Sequence, residues 1–436
     1  MPSSLRWIAL GTAGLLAALA VSYASGWLRP AAPRATSPMQ QSAYVWQRSW
    51  SDPVQRAMRE RAPAFDAGVV ALGAEIAWKD DGVLQHVQVP LGHALLAGDA
   101  PTNGIALRIG PCPKELLRDD ATIASILQVT REMLASARAG GWEPSELQLD
   151  FDSATSRLDD YRRWVEAIAA DVRPLPVTLT VLPTWMSSSA FGPLVRASAG
   201  FVLQVHSVEK AALESDAPSL CDAASAVSWT ERAAHFGVPF RVALPTYGYL
   251  AMLDDDGKLR GLVAETGSPL LSAGARARLV SAEPRAMADL VAHWSRSRPE
   301  GMQGIIWYRL PVDGDRLNWA WPTLSRVMAG EAPAAQLAVR AVPIDDAVIE
   351  LVAENSGDLD AAAPAILEVS WTGGATVVGA DGLAGMEWRR QDGGGVRFER
   401  ASAEPALRVA PRGSRVLGWV RLSSTAEVKV DVIDER

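Results

Sequence analysis

Asp150 and Asp152 stand two residues apart at the end of the apolar run Glu146-Leu-Gln-Leu-Asp-Phe-Asp152. Residues two apart on a strand point the same way. The run therefore predicts two carboxylates on one face of a strand end, about 6.7 Å apart by the standard rise, with Gln148 behind them. Two carboxylates this close rarely ionise together, so one keeps its proton near neutral pH. Glycosidic bond cleavage needs an acid for the leaving oxygen and an anion to support the developing cation. Asp152, nearer the strand end, is the expected proton donor, with Asp150 tuning it. A helix signal follows at once. Ser156 and Asp159 form an S-x-x-D box, and Leu158, Tyr161, Val165 and Ile168 recur at helical spacing.

A strand tipped by carboxylates and followed by a helix is how parallel α/β barrels present catalytic groups. The flanking chain supplies the other strands: 44–50, 67–76, 104–110, 146–152, 177–185, 200–207, 240–249 and 304–310. Amphipathic segments lie between most of them, such as Ile123, Ile126, Leu127, Thr130 and Leu134, closed by Gly140-Gly141. Eight apolar strands interleaved with helices over residues 44–332 predict a (β/α)8 TIM barrel, with a doubly wound sheet as the rival. Between the seventh and eighth strands, residues 250–262 read as a hairpin turning at Asp256-Gly257. From residue 335 to 436 the apolar period changes to two, which predicts an all-β sandwich. With no His or Cys, it reads as an accessory domain.

Catalytic and binding groups of such barrels sit at the C-terminal strand ends. Those positions hold Arg48, Glu75, Arg108, Asp150, Asp152, Trp185, Gln204, His206, Tyr247, Trp307 and Arg309. Trp185, Tyr247 and Trp307 are expected to form a floor on which a sugar stacks, and His206 with Tyr247 to position the reacting ring. The competing reading is structural: three arginines against three carboxylates can plug a barrel as an ion-pair network.

Composition narrows the partner. The 436-residue chain has 16 Trp against 7 Phe and 6 Tyr, which favours a carbohydrate polymer. A formal net charge of −8 and the lack of a basic stripe argue against nucleic acid. Residues 7–28 carry no charge and lie between Arg6 and Arg29, as a signal peptide or an inner-membrane anchor does. Residues 29–43 then read as a linker. Either role places the body in the periplasm or outside the cell, where Cys112 and Cys221 are permitted to pair. No spacing of a metal or cofactor site is evident, so none is expected.

The runs Tyr44-Val-Trp-Gln-Arg-Ser-Trp50, Leu147-Gln-Leu-Asp-Phe-Asp152 and Gly304-Ile-Ile-Trp-Tyr-Arg-Leu-Pro311 resemble a bacterial family known only as a domain of unknown function, family 3142. The resemblance spans residues 44–436 and implies kinship with the TIM-barrel glycoside hydrolases. A looser similarity is to chitinase-like enzymes, whose fourth strand carries D-x-D-x-E, whose sixth ends in a tyrosine and whose eighth carries a tryptophan. Trp307 matches the last, and His206 stands where the tyrosine would be. The fourth strand departs: Ala154 takes the glutamate place if Asp150 and Asp152 are the two aspartates, or else Asp152 substitutes for the glutamate. The expected function is thus an exported hydrolase of a polysaccharide or cell-envelope glycan. The alternative is a non-catalytic glycan-binding or envelope scaffold protein on the same barrel.

Overall fold

A computed structural model describes residues 33–79, 82–97, 103–206, 220–254, 258–263, 276–391, 394–401 and 407–433. The expected leader at 7–28 and the hairpin turn at Asp256-Gly257 lie outside them.

Eight parallel strands form the centre: β1 (Gln40–Val45), β2 (Val69–Trp78), β4 (Gly104–Ile109), β5 (Leu147–Phe151), β6 (Val177–Val181), β7 (Gly200–Gln204), β8 (Phe240–Pro245) and β12 (Met302–Tyr308). Each pairs with the next, and β12 returns to β1, so the sheet closes into a TIM barrel. Such strands are covered on both faces, which is why they read as nearly unbroken apolar runs. β3 (Leu84–Gln88) adds an antiparallel edge to β2. The seam is tight: a Cβ at Gly304 would lie 2.1 Å from the Gln40 carbonyl oxygen, so only glycine lets β12 approach β1.

Helices α1 (Asp52–Glu60), α2 (His93–Leu96), α3 (Asp120–Ala139), α4 (Leu158–Asp171), α5 (Phe191–Arg196), α6 (Ala223–Ala234), α7 (Pro284–Arg296) and α8 (Trp321–Met328) connect the strands. α3 starts where Asp119 accepts the Thr122 amide at 2.9 Å. The expected Ser156–Asp159 box does not form. A 3-10 turn at Thr155–Arg157 takes up Ser156, and α4 begins behind Arg157 without a side-chain cap. Asp159 and Asp160 instead stand in its first turn, where the helix dipole favours acids. The run expected over 177–185 also ends early, because a 3-10 turn opens at Pro183 and carries Trp185 away from the strand.

The arms of the expected hairpin are β9 (Gly248–Leu253) and β10 (Leu259–Val263), and β11 (Arg276–Ser281) pairs on the other side of β9. Beyond the barrel, residues 337–433 form antiparallel sheets. Four strands, β13 (Leu337–Pro343), β14 (Val348–Asn355), β21 (Ser414–Leu422) and β17 (Val377–Gly382), face four others, β18 (Met386–Arg390), β19 (Val396–Arg400), β16 (Ile366–Trp371) and β22 (Val428–Ile433). Leu351 and Leu417 of the first sheet share a core with Leu367 and Phe398 of the second. A two-stranded pair, β15 (Ala361–Ala362) with β20 (Arg408–Val409), flanks them. Cys112 and Cys221 do not form the permitted disulfide.

Candidate active site

Alternation along the barrel strands stacks polar side chains inside it in layers. The lowest layer centres on Glu146, just before β5. Its carboxylate accepts Arg241 Nη2 at 2.7 Å, Thr178 Oγ1 at 3.0 Å and Gln148 Nε2 at 2.9 Å. Gln148 in turn accepts the Tyr44 hydroxyl at 2.7 Å. Every buried acceptor here has a donor, so this end is a plug.

One turn of the pleat higher, Asp150 is treated differently. It is 7% exposed, accepts Thr180 Oγ1 at 2.6 Å, and stands 3.6 Å from Arg108 Nη1. Arg108 leans towards Glu75 at 3.8 Å, and Glu75 accepts Arg48 Nε at 2.5 Å and Nη2 at 3.0 Å. Burial pushes the Asp150 carboxyl above its ordinary range. The Thr180 hydrogen bond and Arg108 oppose the shift, while the charges of Asp152 and Glu75 add to it.

Asp152 lies beyond the strand, and the parity argument does not reach it. The Ser153 amide donates to the Phe151 carbonyl at 2.9 Å, a three-residue turn centred on Asp152. The side chain is therefore exposed while Asp150 is buried. Burial thus favours the protonated form of the inner acid, Asp150.

An aromatic wall rises beside Asp150. The Tyr308 ring meets Tyr44 at 5.7 Å, Trp46 at 5.6 Å and Tyr247 at 5.2 Å, and stacks on His206 at 5.8 Å. His206 Nδ1 and the Tyr247 hydroxyl are 3.1 Å apart, and Tyr249 donates to Tyr247 at 3.5 Å. His206 Nε2 is buried without a hydrogen-bond partner among the described residues. Burial lowers the imidazole to about 4, so it is neutral near pH 7, and burial keeps Tyr247 and Tyr308 protonated. The wall offers apolar faces and neutral hydrogen-bonding edges.

Two expected stacking residues are elsewhere. Trp185 is 1% exposed and packs edge-on against Tyr161, outside the barrel. Trp307 is fully buried, donates its indole N–H to Gln41 Oε1 at 2.9 Å, and lies 6.4 Å from Trp319. Neighbours on a strand face opposite ways, so Tyr308 takes the inner place and Trp307 packs behind the strand. Tyr308, Trp46 and Thr180 were not singled out from sequence. The parity that pairs Trp46 with Tyr44 was available as a signal. Gln204 is half-buried at the end of β7, in register with Ala243. Arg309 reaches an adjoining cleft of about 400 Å³ whose lining includes Trp46, Gln47 and Arg48. It pairs there with Asp315, and its Nε has no hydrogen-bond partner among the described residues. Among the described residues, no group of three or more His, Cys, Asp or Glu could hold a metal ion.

Residues 115–313 match the model of a family described as a domain of unknown function (DUF3142), a narrower span than the resemblance noted above. No curated protein matches the sequence. Among solved structures, the spore cortex-lytic enzyme SleL of Bacillus cereus is similar at 13% identity and a TM-score of 0.45, over 67% of this chain and 74% of that one. SleL of Bacillus megaterium is similar at 10% identity and a TM-score of 0.47, over 70% and 76%. A chitinase of Chromobacterium violaceum is similar at 13% identity and a TM-score of 0.42, over 67% and 99%.

Proposed function

We propose that the protein is an exported glycoside hydrolase acting on a polysaccharide or cell-envelope glycan at the barrel mouth. The observation that carries this reading is the unequal carboxyl pair. Asp150 is buried and under-neutralised, and Asp152 is exposed one turn beyond it. In the free protein burial favours the protonated form of Asp150. A sugar laid over the mouth excludes water there, and the proton passes from Asp150 to Asp152. Asp152 then gives its proton to the glycosidic oxygen as the bond to the anomeric carbon breaks. Asp150, now ionised and held by Thr180 and Arg108, supports the positive charge left on the ring; water then bonds through its oxygen to the anomeric carbon and returns a proton to Asp152. The uncharged run 7–28 between Arg6 and Arg29 supports export.

The test is a panel of amino-sugar, uronic-acid and neutral glycans, assayed with the wild type, Asp152→Asn and Asp150→Asn. Turnover by the wild type should fall by roughly 10²–10⁴ in Asp152→Asn, the usual worth of a general acid. Equal turnover by wild type and variants, or by none, refutes the assignment. The chain of ion pairs Arg48–Glu75–Arg108–Asp150 favours a second reading, a glycan-binding scaffold without turnover. Binding by all three proteins without hydrolysis would support it.

A further inference from the structure

A second cleft, of about 620 Å³, lies where the barrel meets the sandwich. Its size falls within the ~300–1,000 Å³ usual for ligand sites. The barrel contributes Trp319 and Trp321, both partly exposed. Each is anchored on one side: the Trp319 indole N–H donates to the Ala282 carbonyl at 3.3 Å, and the Trp321 ring meets Phe65 edge-on at 6.0 Å. The sandwich contributes Asp360, Arg408 and Pro411. This wall is fixed to the barrel. Thr323 Oγ1 donates to the Asp358 carbonyl at 2.6 Å, and Arg326 stands 3.4 Å from the Asp358 carboxylate. Within the sandwich, Asn355 Nδ2 ties the Leu359 and Val409 carbonyls together at 2.8 and 3.0 Å.

The four residues Val312 to Asp315 border both this cleft and the smaller one beside Trp46 and Arg48. The loop after β12 is therefore a wall shared by the two clefts. The charge along it is largely internally neutralised. Arg61 pairs with Asp313, Arg408 stands 3.4 Å from Asp360, and Asp315 is taken by Arg309. Of the cleft's three arginines, Arg61, Arg316 and Arg408, only Arg316 makes no ion pair among the described residues. A polyanion needs a field of unpaired cations. Flat aromatic faces with paired, hydrogen-bonding charges suit hydroxylated, uncharged rings.

The geometry points to the inter-domain cleft as the distal part of the glycan site. It takes the continuation of an uncharged polysaccharide whose scissile bond lies at the mouth, with sugar rings stacked on Trp319 and Trp321. The inference rests on the proposed hydrolase reading and makes the sandwich a working wall of the site.

Calorimetric titration of the full chain separates the two. The probes are uncharged hexose and N-acetylhexosamine oligomers, from disaccharides to long chains, with polygalacturonate as the polyanion. Affinity should rise with the length of an uncharged oligomer. Trp321→Ala and Arg408→Ala should weaken long chains on the order of tenfold, the scale of one lost contact residue, and leave disaccharides unchanged. Arg408 is largely exposed, so Arg408→Ala guards against a folding defect in Trp321→Ala. In turnover, KM for the polymer should rise while kcat and cleavage of short substrates stay constant. Affinity independent of length, equal losses for short and long chains, or a preference for polygalacturonate would overturn the inference. Length-dependent binding without hydrolysis would sink only the catalytic reading. Hydrolysis of short glycans without any length dependence would sink only the distal site.

Discussion

Lowering the pH from 7 to 5 should destabilise the protein through His206, by an amount the structure sets. The imidazole is packed between Tyr247 and Tyr308, and burial lowers it to about 4 from an ordinary 6.5. The unfolded chain therefore takes up the proton first as pH falls. Stability due to this group is complete above pH 6.5 and is lost as pH drops towards 4. The full shift corresponds to about 3 kcal/mol, and roughly 2 kcal/mol of it disappears between pH 7 and 5. Asp150 acts in the opposite direction, since its raised folded value adds stability as pH falls. It is present in both proteins of the comparison and cancels. The comparison is wild type against His206→Gln, a variant able to bond Tyr247 without titrating, by urea unfolding at both pH values. Wild type should lose about 2 kcal/mol more than the variant. Parallel losses would show that the imidazole is not buried in neutral form, and the account of the aromatic wall would fail.

Three further outcomes follow from the layers of the barrel. Glu146→Gln leaves the half-buried Arg241 without its counter-charge and should cost about 2 kcal/mol in urea unfolding. Binding at the mouth should be unchanged in that variant, because the plug and the mouth are opposite ends of the barrel. Gly304→Ala should cost about 3 kcal/mol, the upper range for over-packing, because its Cβ would meet a backbone oxygen that cannot rotate away. Burial pushes the thiols of Cys112 and Cys221 up to about 12, so neither should react with iodoacetamide at pH 8 in the native protein. Both should react in urea, as mass spectrometry will show.

The barrel was legible because strands buried on both faces must be apolar throughout, and turn residues punctuate such runs. Strand ends are equally readable, and contacts there join Arg48, Glu75, Arg108 and Asp150 in one chain and His206 with Tyr247. The errors arise where local backbone overrides the strand period. Pro183 starts a turn that takes Trp185 into the core, and the turn at Asp152 breaks the alternation that pairs it with Asp150. Trp307 was a different failure. Its residue type drew attention, but one place along the strand decides between the barrel interior and the helix layer, and Tyr308 holds the inner place. The cleft at the sandwich was not legible at all, since it joins residues far apart in sequence through a domain contact.

Whether the acids at the mouth are structural or chemical can be argued from the same strand. Glu146 and Asp150 are four residues apart and both face the barrel interior. Glu146 receives an arginine, a threonine and a glutamine within 3.0 Å, as a carboxylate placed for stability should. Asp150 receives one threonine, while its arginine stands back at 3.6 Å and is shared with Glu75. A protein that merely needed a second plug had a pattern for it on the same strand. Leaving Asp150 short of donors raises the cost of its charge and keeps a proton within reach of an exposed neighbour. Under-pairing of this kind has no evident benefit to stability, and it is what the proposed hydrolase asks of the inner acid beside its donor.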